Sequence, residues 1–341
     1  MQDTNSNTAA KYMLGGGQSE RSLWLDNIKG LLIFMVVLGH SIAGEPSQNN
    51  NIYGISHYLI YCNHMPMFLM ISGYLSRNHW TLKKCIKNYV VPYVVFDIAW
   101  VVYALLVRNA TINDLFILTP TYVYWYILSL FFLRMISSNS LWGYLFLPCS
   151  ILLTLISPYI DENYWRILSF GRVALLYPIY WIGKKYVSTI IDTLRNTNKV
   201  VGYILIFACI LIELLVLKLG VVDITWASHD YPTYTIETVI KYVFQFLVII
   251  IFIGLTIVVP DKETMLSRWG RNSVIVYLIH PFVLSVLLFV LHMVNVEMDA
   301  LFFFIFVVLS IVITEVLSHD ILKKTYDSFM INTYKLLNLL K

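Results

Sequence analysis

Charged side chains are scarce in this chain of 341 residues. Asp, Glu, Lys and Arg together make up 13% of the sequence, whereas soluble domains contain about 25%. Hydrophobic residues make up 58%, and they cluster in long runs, as they do in proteins whose solvent is lipid. The composition therefore excludes an ordinary soluble domain. The net charge of only +4 gives no indication of a nucleic-acid partner.

Cysteine is also rare, and the four cysteines lie far apart in the sequence. Their spacing fits neither a zinc site nor a disulfide framework. We therefore expect them to be small core residues, and the sequence predicts no metal site. A cleavable signal peptide is not predicted either, because residues 1–27 are polar and the first apolar run begins only at Ile28.

The apolar runs predict an all-α, polytopic membrane protein with about ten transmembrane helices. The predicted spans are residues 28–44, 58–76, 88–107, 122–136, 141–157, 168–187, 200–219, 239–259, 272–292 and 299–318. If the N-terminus is cytoplasmic, most of the 24 Lys and Arg residues fall on cytoplasmic segments, as the positive-inside rule requires. The sequence thus predicts cytoplasmic N- and C-termini, with a tail over residues 1–27, a membrane domain over 28–318 and a second tail over 319–341.

The first predicted span carries ionisable residues at both ends. Asp26 and Lys29 lie three residues apart, which places them on one helix face. His40 follows Lys29 by eleven residues, or about 16 Å along a helix, near the same face. A histidine within an apolar span costs free energy unless it lines a cavity or has a partner, so His40 is a candidate functional residue.

The predicted topology divides the other polar candidates between the two membrane faces. Polar and aromatic residues from several spans meet on the outer side: His40, His64, Trp125, Tyr126 and Arg172. His280 lies below them near mid-membrane, and His57 is interpreted as structural. The cytoplasmic side has a basic loop, whose cations are Arg77, Lys83, Lys84 and Lys87.

Six short motifs follow one another between residues 26 and 280. They are Asp-x-x-Lys-Gly-(x)8-Gly-His at 26–40, Asn-His-Met-Pro-Met-Phe-Leu-Met-Ile-Ser-Gly-Tyr-Leu at 63–75, Val-Val-Pro-Tyr at 90–93, Trp-Tyr-Ile-Leu-Ser-Leu at 125–130, Leu-Leu-Tyr-Pro-Ile-Tyr-Trp-Ile-Gly at 175–183 and Tyr-Leu-Ile-His at 277–280. In this order they resemble the acyltransferase-3 family of integral-membrane O-acyltransferases, in particular its sugar O-acetylases of the fucose 4-O-acetylase type. Many members carry arginine where this chain has Lys29, so the planar guanidinium fork is lost there.

This resemblance implies transfer of an acyl group, usually acetyl, from a cytoplasmic thioester to a hydroxyl of an extracytoplasmic or lipid-linked sugar. The expected location is the bacterial plasma membrane, and the expected donor substrate is acetyl-CoA, with no permanently bound cofactor. Histidine titrates near neutral pH, so His40 is predicted to be the general base for the hydroxyl proton, or a transient acyl carrier. His64 and Arg172 are predicted to hold the acceptor or the developing oxyanion.

The remaining predicted contacts concern the two substrates. Lys29 and Asp26 are assigned to the donor side together with the basic loop, because basic groups bind phosphates. A purely topogenic role, with lipid headgroups as partners, is the alternative for the loop. Trp125 and Tyr126 are predicted platforms for sugar stacking, and His280 is predicted to be a further polar contact or to stabilise a helix kink.

Two other functional classes remain open at this stage. A transporter or flippase of a polar or lipid-linked substrate would also have ten spans with buried ionisable groups. Broken helices and paired half-repeats would indicate that class, and the sequence has no such symmetry. A membrane scaffold without chemistry would tolerate substitution of His40 as well as substitution of a lipid-facing leucine.

Overall fold

The computed structural model describes residues 22–43, 51–78, 80–108, 118–223, 234–293 and 300–339 of the chain. Every regular element within these ranges is helical, which confirms the predicted all-α class. The helices used below are α1 (Leu23–Ile42), α2 (Asn51–Leu75), α3 (Leu82–Val107), α4 (Trp125–Ile136), α5 (Ser140–Ile156), α6 (Phe170–Leu194), α7 (Lys199–Lys218), α8 (Thr235–Val258), α9 (Met265–Arg271), α10 (Ser273–Met293), α11 (Ala300–Leu317) and α12 (Asp320–Leu336).

Each of the ten predicted spans overlaps one of these helices, in the same order. Seven of the described helices are long and apolar enough to cross a membrane, namely α1, α3, α5, α7, α8, α10 and α11. Helix α4 has only 12 residues, and α2 and α6 are long enough but more polar. Both α2 and α6 contribute buried side chains to the main core, where neighbouring helices take the place of lipid.

Helix α7 illustrates how the apolar helices meet their surroundings. It begins after Asn198, whose side chain accepts a hydrogen bond from the backbone N–H of Val200. One face packs against α8, where Gly202 leaves no room for a Cβ atom beside the Gly254 carbonyl. The opposite face exposes large apolar side chains, including Phe207, which is 70% exposed. A surface of this kind requires an apolar solvent, as expected for a helix that faces lipid.

Glycines allow two pairs of helices to pack in backbone contact. A Cβ atom at Gly30 on α1 would collide with the Leu266 carbonyl at the start of α9, and one at Gly270 would collide with the Asp26 carbonyl. The same reciprocal arrangement joins α2 to α6, where Gly73 and Gly183 each face a carbonyl of the other helix. Small residues at such crossings are typical of membrane helix packing.

Gly73→Ala and Gly270→Ala are each expected to lower the free energy of unfolding by about 1–3 kcal/mol, because the added methyl group must push two helix backbones apart. Thermal unfolding of the detergent-solubilised protein measures the effect. Val308→Ala, on an exposed face of α11, is the matched control and should leave Tm nearly unchanged. An unaltered Tm in both glycine variants would contradict the close packing.

Asn27 fixes the start of α1 to the segment that precedes α9. Its buried side-chain amide donates to the carbonyls of Pro260 and Lys262, at 2.9 and 3.0 Å. Its carbonyl oxygen accepts hydrogen bonds from the hydroxyls of Thr264 and Ser267, both at 2.6 Å. All the hydrogen-bonding capacity of this buried amide is thus satisfied, and the end of α1 that carries the predicted donor-side residues is held rigidly.

Helix α12 lies within the predicted C-terminal tail and packs across the start of α3. Its buried Met330 and Tyr334 form a small apolar cluster with Val91. This part of α3 includes a π-helical turn over Ile86–Val90, a rare element that is frequent near functional sites. The Lys87 ammonium from this turn lies 4.8 Å from the ring centroid of Tyr334.

Candidate active site

His40 lies two residues before the end of α1, far from Asp26 and Lys29 at its start. Its Nδ1 atom is 3.1 Å from the Tyr61 hydroxyl on α2 and 3.4 Å from the Tyr122 hydroxyl in the segment before α4. The centroid of the His280 ring on α10 is 5.4 Å from that of His40. Three other parts of the fold therefore converge on this partly buried imidazole, so His40 faces protein groups and not lipid alone.

His64 and His280 are buried, and each donates a hydrogen bond to a backbone carbonyl of its own helix. The Nδ1 atom of His64 is 2.6 Å from the Ile60 carbonyl oxygen, and that of His280 is 3.0 Å from the Val276 carbonyl oxygen. A carbonyl only accepts, so Nδ1 carries the proton and Nε2 is an acceptor in each neutral ring. The buried Nε2 of His280 has no hydrogen-bond partner among the described residues, so its capacity to accept a hydrogen bond is unused there.

Tyr61 contacts three histidines through its ring and its hydroxyl. It stacks on His57 with centroids 4.0 Å apart, and it lies 5.1 Å from the His64 ring. We call this group the histidine cluster: His40, His57, His64, His280, Tyr61 and Tyr122. From the sequence, His57 is interpreted as structural and Tyr61 has no predicted role. Tyr61 follows His57 by four residues and precedes His64 by three, however, which places all three on one helix face.

A series of aromatic rings leads from the histidine cluster towards α4. His280 lies 6.0 Å from Tyr277, and Tyr277 lies 5.5 Å from the buried ring of Tyr126. The next ring is Trp125, 6.0 Å from Tyr126, and the Arg172 guanidinium lies 4.5 Å from the Trp125 centroid. The predicted outer residues therefore belong to one connected region, with Arg172 at the far end of the series from His40.

A second polar site surrounds Arg134, close to the end of α4. The side chain is buried, with 5% exposed, and its guanidinium lies 3.8 Å from the ring centroid of Trp80. It donates to the Asn78 carbonyl at 2.8 Å and, weakly, to the Tyr89 hydroxyl at 3.5 Å. The ammonium of Lys84 lies 4.5 Å from the same Trp80 ring.

Lys184 on α6 adds a further cation to this site. Its ammonium donates to the carbonyl and the hydroxyl of Ser137, the residue that follows α4 one position after Ile136. We call Trp80, Lys84, Tyr89, Arg134 and Lys184 the cation–aromatic cluster. No described carboxylate forms an ion pair with Arg134 or Lys184. A buried cation without a counter-charge, as at Arg134, is costly, so this cluster is suited to bind an anionic group.

The two clusters lie at different levels along α2. His57 is in its first half and His64 is at its middle, whereas the chain reaches Trp80 only after the helix has ended at Leu75. The eleven residues from His64 to Leu75 correspond to about 16 Å of helix. A ligand that reaches both clusters must therefore be elongated and must run roughly parallel to α2.

The cations of the basic loop do not gather at one site. Lys84 belongs to the cation–aromatic cluster, but the Arg77 guanidinium, just beyond α2, lies over Tyr74 at the end of that helix, at 4.0 Å. Lys83 is exposed, and Lys87 is directed to Tyr334 of α12. The sequence gives no signal for Arg134 or Lys184, because the burial of Arg134 and the Ser137 contact of Lys184 depend on the tertiary fold.

Lys29 and Asp26 form an ion pair with each other, with 3.0 Å between Nζ and Oδ1. Asp26 is buried and Lys29 is largely buried, in the region that Asn27 and the α1–α9 crossing hold in place. The structure thus provides a counter-charge for Lys29 within the chain. Their assignment to the donor side stays a prediction.

Comparison with known proteins adds independent information on this arrangement. A family model described as an acyltransferase domain matches residues 22–319, a range that includes every helix carrying the two clusters. The chain belongs to the acyltransferase-3 family. In this acyltransferase-3 protein the histidine cluster and the cation–aromatic cluster both lie inside the matched domain.

Two curated relatives are similar to a short part of the chain. They are the nodulation proteins NolL of Sinorhizobium fredii (strain NBRC 101917 / NGR234) and of Mesorhizobium japonicum (strain LMG 29417 / CECT 9101 / MAFF 303099). Each is 42% identical over 62 residues, which is 18% of this chain and 17% of the relative. The similarity thus spans less than a fifth of either relative's length. No solved structure matches the chain.

Proposed function

We propose that this acyltransferase-3 protein transfers an acetyl group from acetyl-CoA to a hydroxyl of a cell-surface or lipid-linked glycan, in the bacterial plasma membrane. The single observation that carries the proposal is the setting of His40. It is a partly accessible imidazole, hydrogen-bonded through Nδ1. It lies beside the buried ring of His280, whose Nε2 receives no hydrogen bond from the part of the chain that the structure describes. This setting suits a base that works on a bound hydroxyl group.

The chemistry assigned to His40 follows from its Tyr61 contact. When Nδ1 donates its proton to the Tyr61 oxygen, Nε2 is the basic atom. The acceptor oxygen forms a bond with the thioester carbonyl carbon while Nε2 takes the hydroxyl proton. The carbon–sulfur bond then breaks, and His40 returns the proton to the departing thiolate. Formation of an acetyl-imidazole on His40 is the alternative route.

The buried histidines fit the acceptor better than the oxyanion. In the neutral tautomer fixed by their carbonyl contacts, His64 and His280 present Nε2 as acceptors, and an oxyanion needs donors. They therefore suit the hydroxyls of a sugar. The Tyr61 and Tyr122 hydroxyls both lie at Nδ1 of His40, so we assign them to holding the imidazole with Nε2 directed at the reacting groups.

The cation–aromatic cluster is assigned to the donor. Coenzyme A carries phosphate groups at one end and the thioester at the other, so it has the elongated form that the two separated clusters require. Arg134, Lys184 and Lys84 offer charge-assisted hydrogen bonds to phosphate oxygens. The donor phosphates would lie on the cytoplasmic side and the thioester would reach towards His40.

The proposal also includes an orientation of the protein in the membrane. All ten helices that match the predicted spans cross the membrane, both termini are cytoplasmic, and the membrane domain covers residues 28–318 between tails at 1–27 and 319–341. The polar character of α2 and α6 is compatible with crossing, because these helices face the two clusters and the core instead of lipid.

The test is acetyl transfer by the purified protein in liposomes, with radiolabelled acetyl-CoA on one side and glycan acceptors on the other. Label in the glycan, confirmed by mass spectrometry as an added acetyl group, is the expected result. The untreated acceptor with acetyl-CoA but without protein is the control. Movement of unmodified glycan across the liposome membrane, with no acetylation, would contradict the proposal and indicate a transporter.

A further inference from the structure

Tyr122 has a backbone conformation that bulky residues rarely adopt. Its φ angle is 46°, in the left-handed region where a side chain crowds its own backbone. A residue keeps such a conformation only when its surroundings impose it, and residues of this kind concentrate at functional sites. Tyr122 is also the exposed member of the histidine cluster, with 44% of its surface accessible.

The neighbours of Tyr122 on both sides are held by other helices. The backbone N–H and the hydroxyl of Thr121 both donate to the Asp97 carboxylate on α3, at 2.8 and 2.6 Å. The Val123 carbonyl accepts a hydrogen bond from the Tyr277 hydroxyl on α10. The segment is thus fixed on α3 before the strained residue and on α10 after it, and this double attachment accounts for the conformation.

The result of this attachment is an aromatic surface beside His40. The Tyr122 ring stacks on Trp100 with centroids 5.1 Å apart and an interplanar angle of 13°. Trp100 is only 5% exposed, because Phe282 covers its edge at 5.3 Å. Tyr122 therefore presents a ring that is supported from behind and remains open to a ligand.

The predicted sugar platform has a different environment. Tyr126 is buried, with 9% exposed, and its hydroxyl is hydrogen-bonded to that of Ser72 at 2.9 Å. It has little open surface for a sugar. Tyr122 combines an open ring with a hydroxyl 3.4 Å from His40 Nδ1.

We propose that Tyr122, supported by Trp100, is the platform that binds a pyranose ring of the acceptor and presents one of its hydroxyls to His40. This inference rests on the proposed function and specifies its acceptor subsite. A pyranose has an apolar face of C–H groups that packs on an aromatic ring and a rim of hydroxyls. The His40 imidazole, whose centroid lies 5.3 Å from that of the Tyr122 ring, is a polar group that suits this rim, whereas an acyl chain has no hydroxyl to offer it.

Binding of methyl pyranosides to the detergent-solubilised protein tests this subsite in the absence of acetyl-CoA. Tryptophan fluorescence or calorimetry measures the affinity for a panel of such sugars. Tyr122→Leu is expected to weaken the binding of the preferred pyranoside about tenfold, because the aromatic stacking is lost. Tyr122→Phe keeps the ring and should retain most of the affinity. Tyr203→Leu, on the exposed face of α7, is the control and should bind like the unmodified protein.

A second panel, in which each pyranoside carries a long alkyl chain, distinguishes a lipid-linked acceptor from a polymer or free glycan. Tighter binding of the alkyl pyranoside, still sensitive to Tyr122→Leu, indicates a lipid-linked acceptor, and equal binding indicates a polymer or free glycan. Equal affinity of Tyr122→Leu and the unmodified protein, or no pyranoside binding at all, would overturn the platform. Pyranoside binding that depends on Tyr122, without any acetyl transfer, would retain the platform and reject the proposed function.

Discussion

His40→Gln is expected to lower kcat for acetyl transfer by about 10²–10⁴-fold, the usual contribution of a general base. Glutamine has similar length and polarity but cannot take a proton from the acceptor hydroxyl. Protein yield and Tm should change little, because His40 is only partly buried and lies near the end of α1. Initial rates with labelled acetyl-CoA, at saturating acceptor, measure the effect.

His319→Gln is the matched control for this variant. His319 caps the start of α12, where its ring accepts a hydrogen bond from the Ile321 N–H at 3.3 Å, and it lies outside both clusters. Full activity is expected there. Full activity in His40→Gln at normal expression would remove His40 from the mechanism. Mass spectrometry of protein incubated with acetyl-CoA alone and then quenched distinguishes a general base from an acyl carrier. Only an acyl carrier would hold an acetyl group on the imidazole.

Arg134→Gln is expected to raise KM for acetyl-CoA roughly 10- to 100-fold and to leave KM for the acceptor nearly unchanged. A hydrogen bond to a charged group contributes about 1.5–3 kcal/mol, and 1.4 kcal/mol corresponds to about tenfold in affinity. Arg134→Lys keeps the charge but loses the planar fork, so its effect should be intermediate. Initial-rate kinetics with each substrate varied in turn measure both constants.

Arg77→Gln is the control for this second prediction, because Arg77 is an exposed cation of the same region that lies over Tyr74 at the end of α2. Its KM for acetyl-CoA should change by less than about threefold, in line with a small contribution from exposed charges. A similar rise in both KM values, accompanied by a lower Tm, would assign Arg134 a structural role instead. An unchanged KM for acetyl-CoA in Arg134→Gln would exclude the cation–aromatic cluster as the donor site.

The helices were predictable because their signals are local. Each apolar run is long enough to form a helix by itself, and all ten predicted segments overlap helices of the structure. Only seven of the described helices meet the length and apolarity of a membrane span. Of the other three, α4 is short, and α2 and α6 lie among other helices and carry polar groups. The depth of a residue along a helix follows from its position, so the sequence also indicated that His40 and His64 lie at a similar level.

The contacts between distant segments were not predictable from one sequence. In the sequence, Arg134 has the position of a topogenic cation near a helix end. Its burial depends on Trp80, which follows α2 in the chain and packs against the guanidinium. Tyr122 gives no signal of its left-handed conformation, because that conformation is imposed by Asp97 and Tyr277 from two other helices. One exception is a face of α2 that carries His57, Tyr61 and His64. Their helical spacing in the sequence is sufficient to predict that these three side chains lie together.

The packing of α12 on α3 affects how the protein can be shortened or fused. The family match ends at residue 319, yet Met330 and Tyr334 of the following helix cover Val91. A truncation at the family boundary would uncover this apolar patch of α3, which lies close to Lys84 in the sequence. Recombinant forms designed for donor-binding measurements should therefore keep α12 and carry any purification tag beyond it.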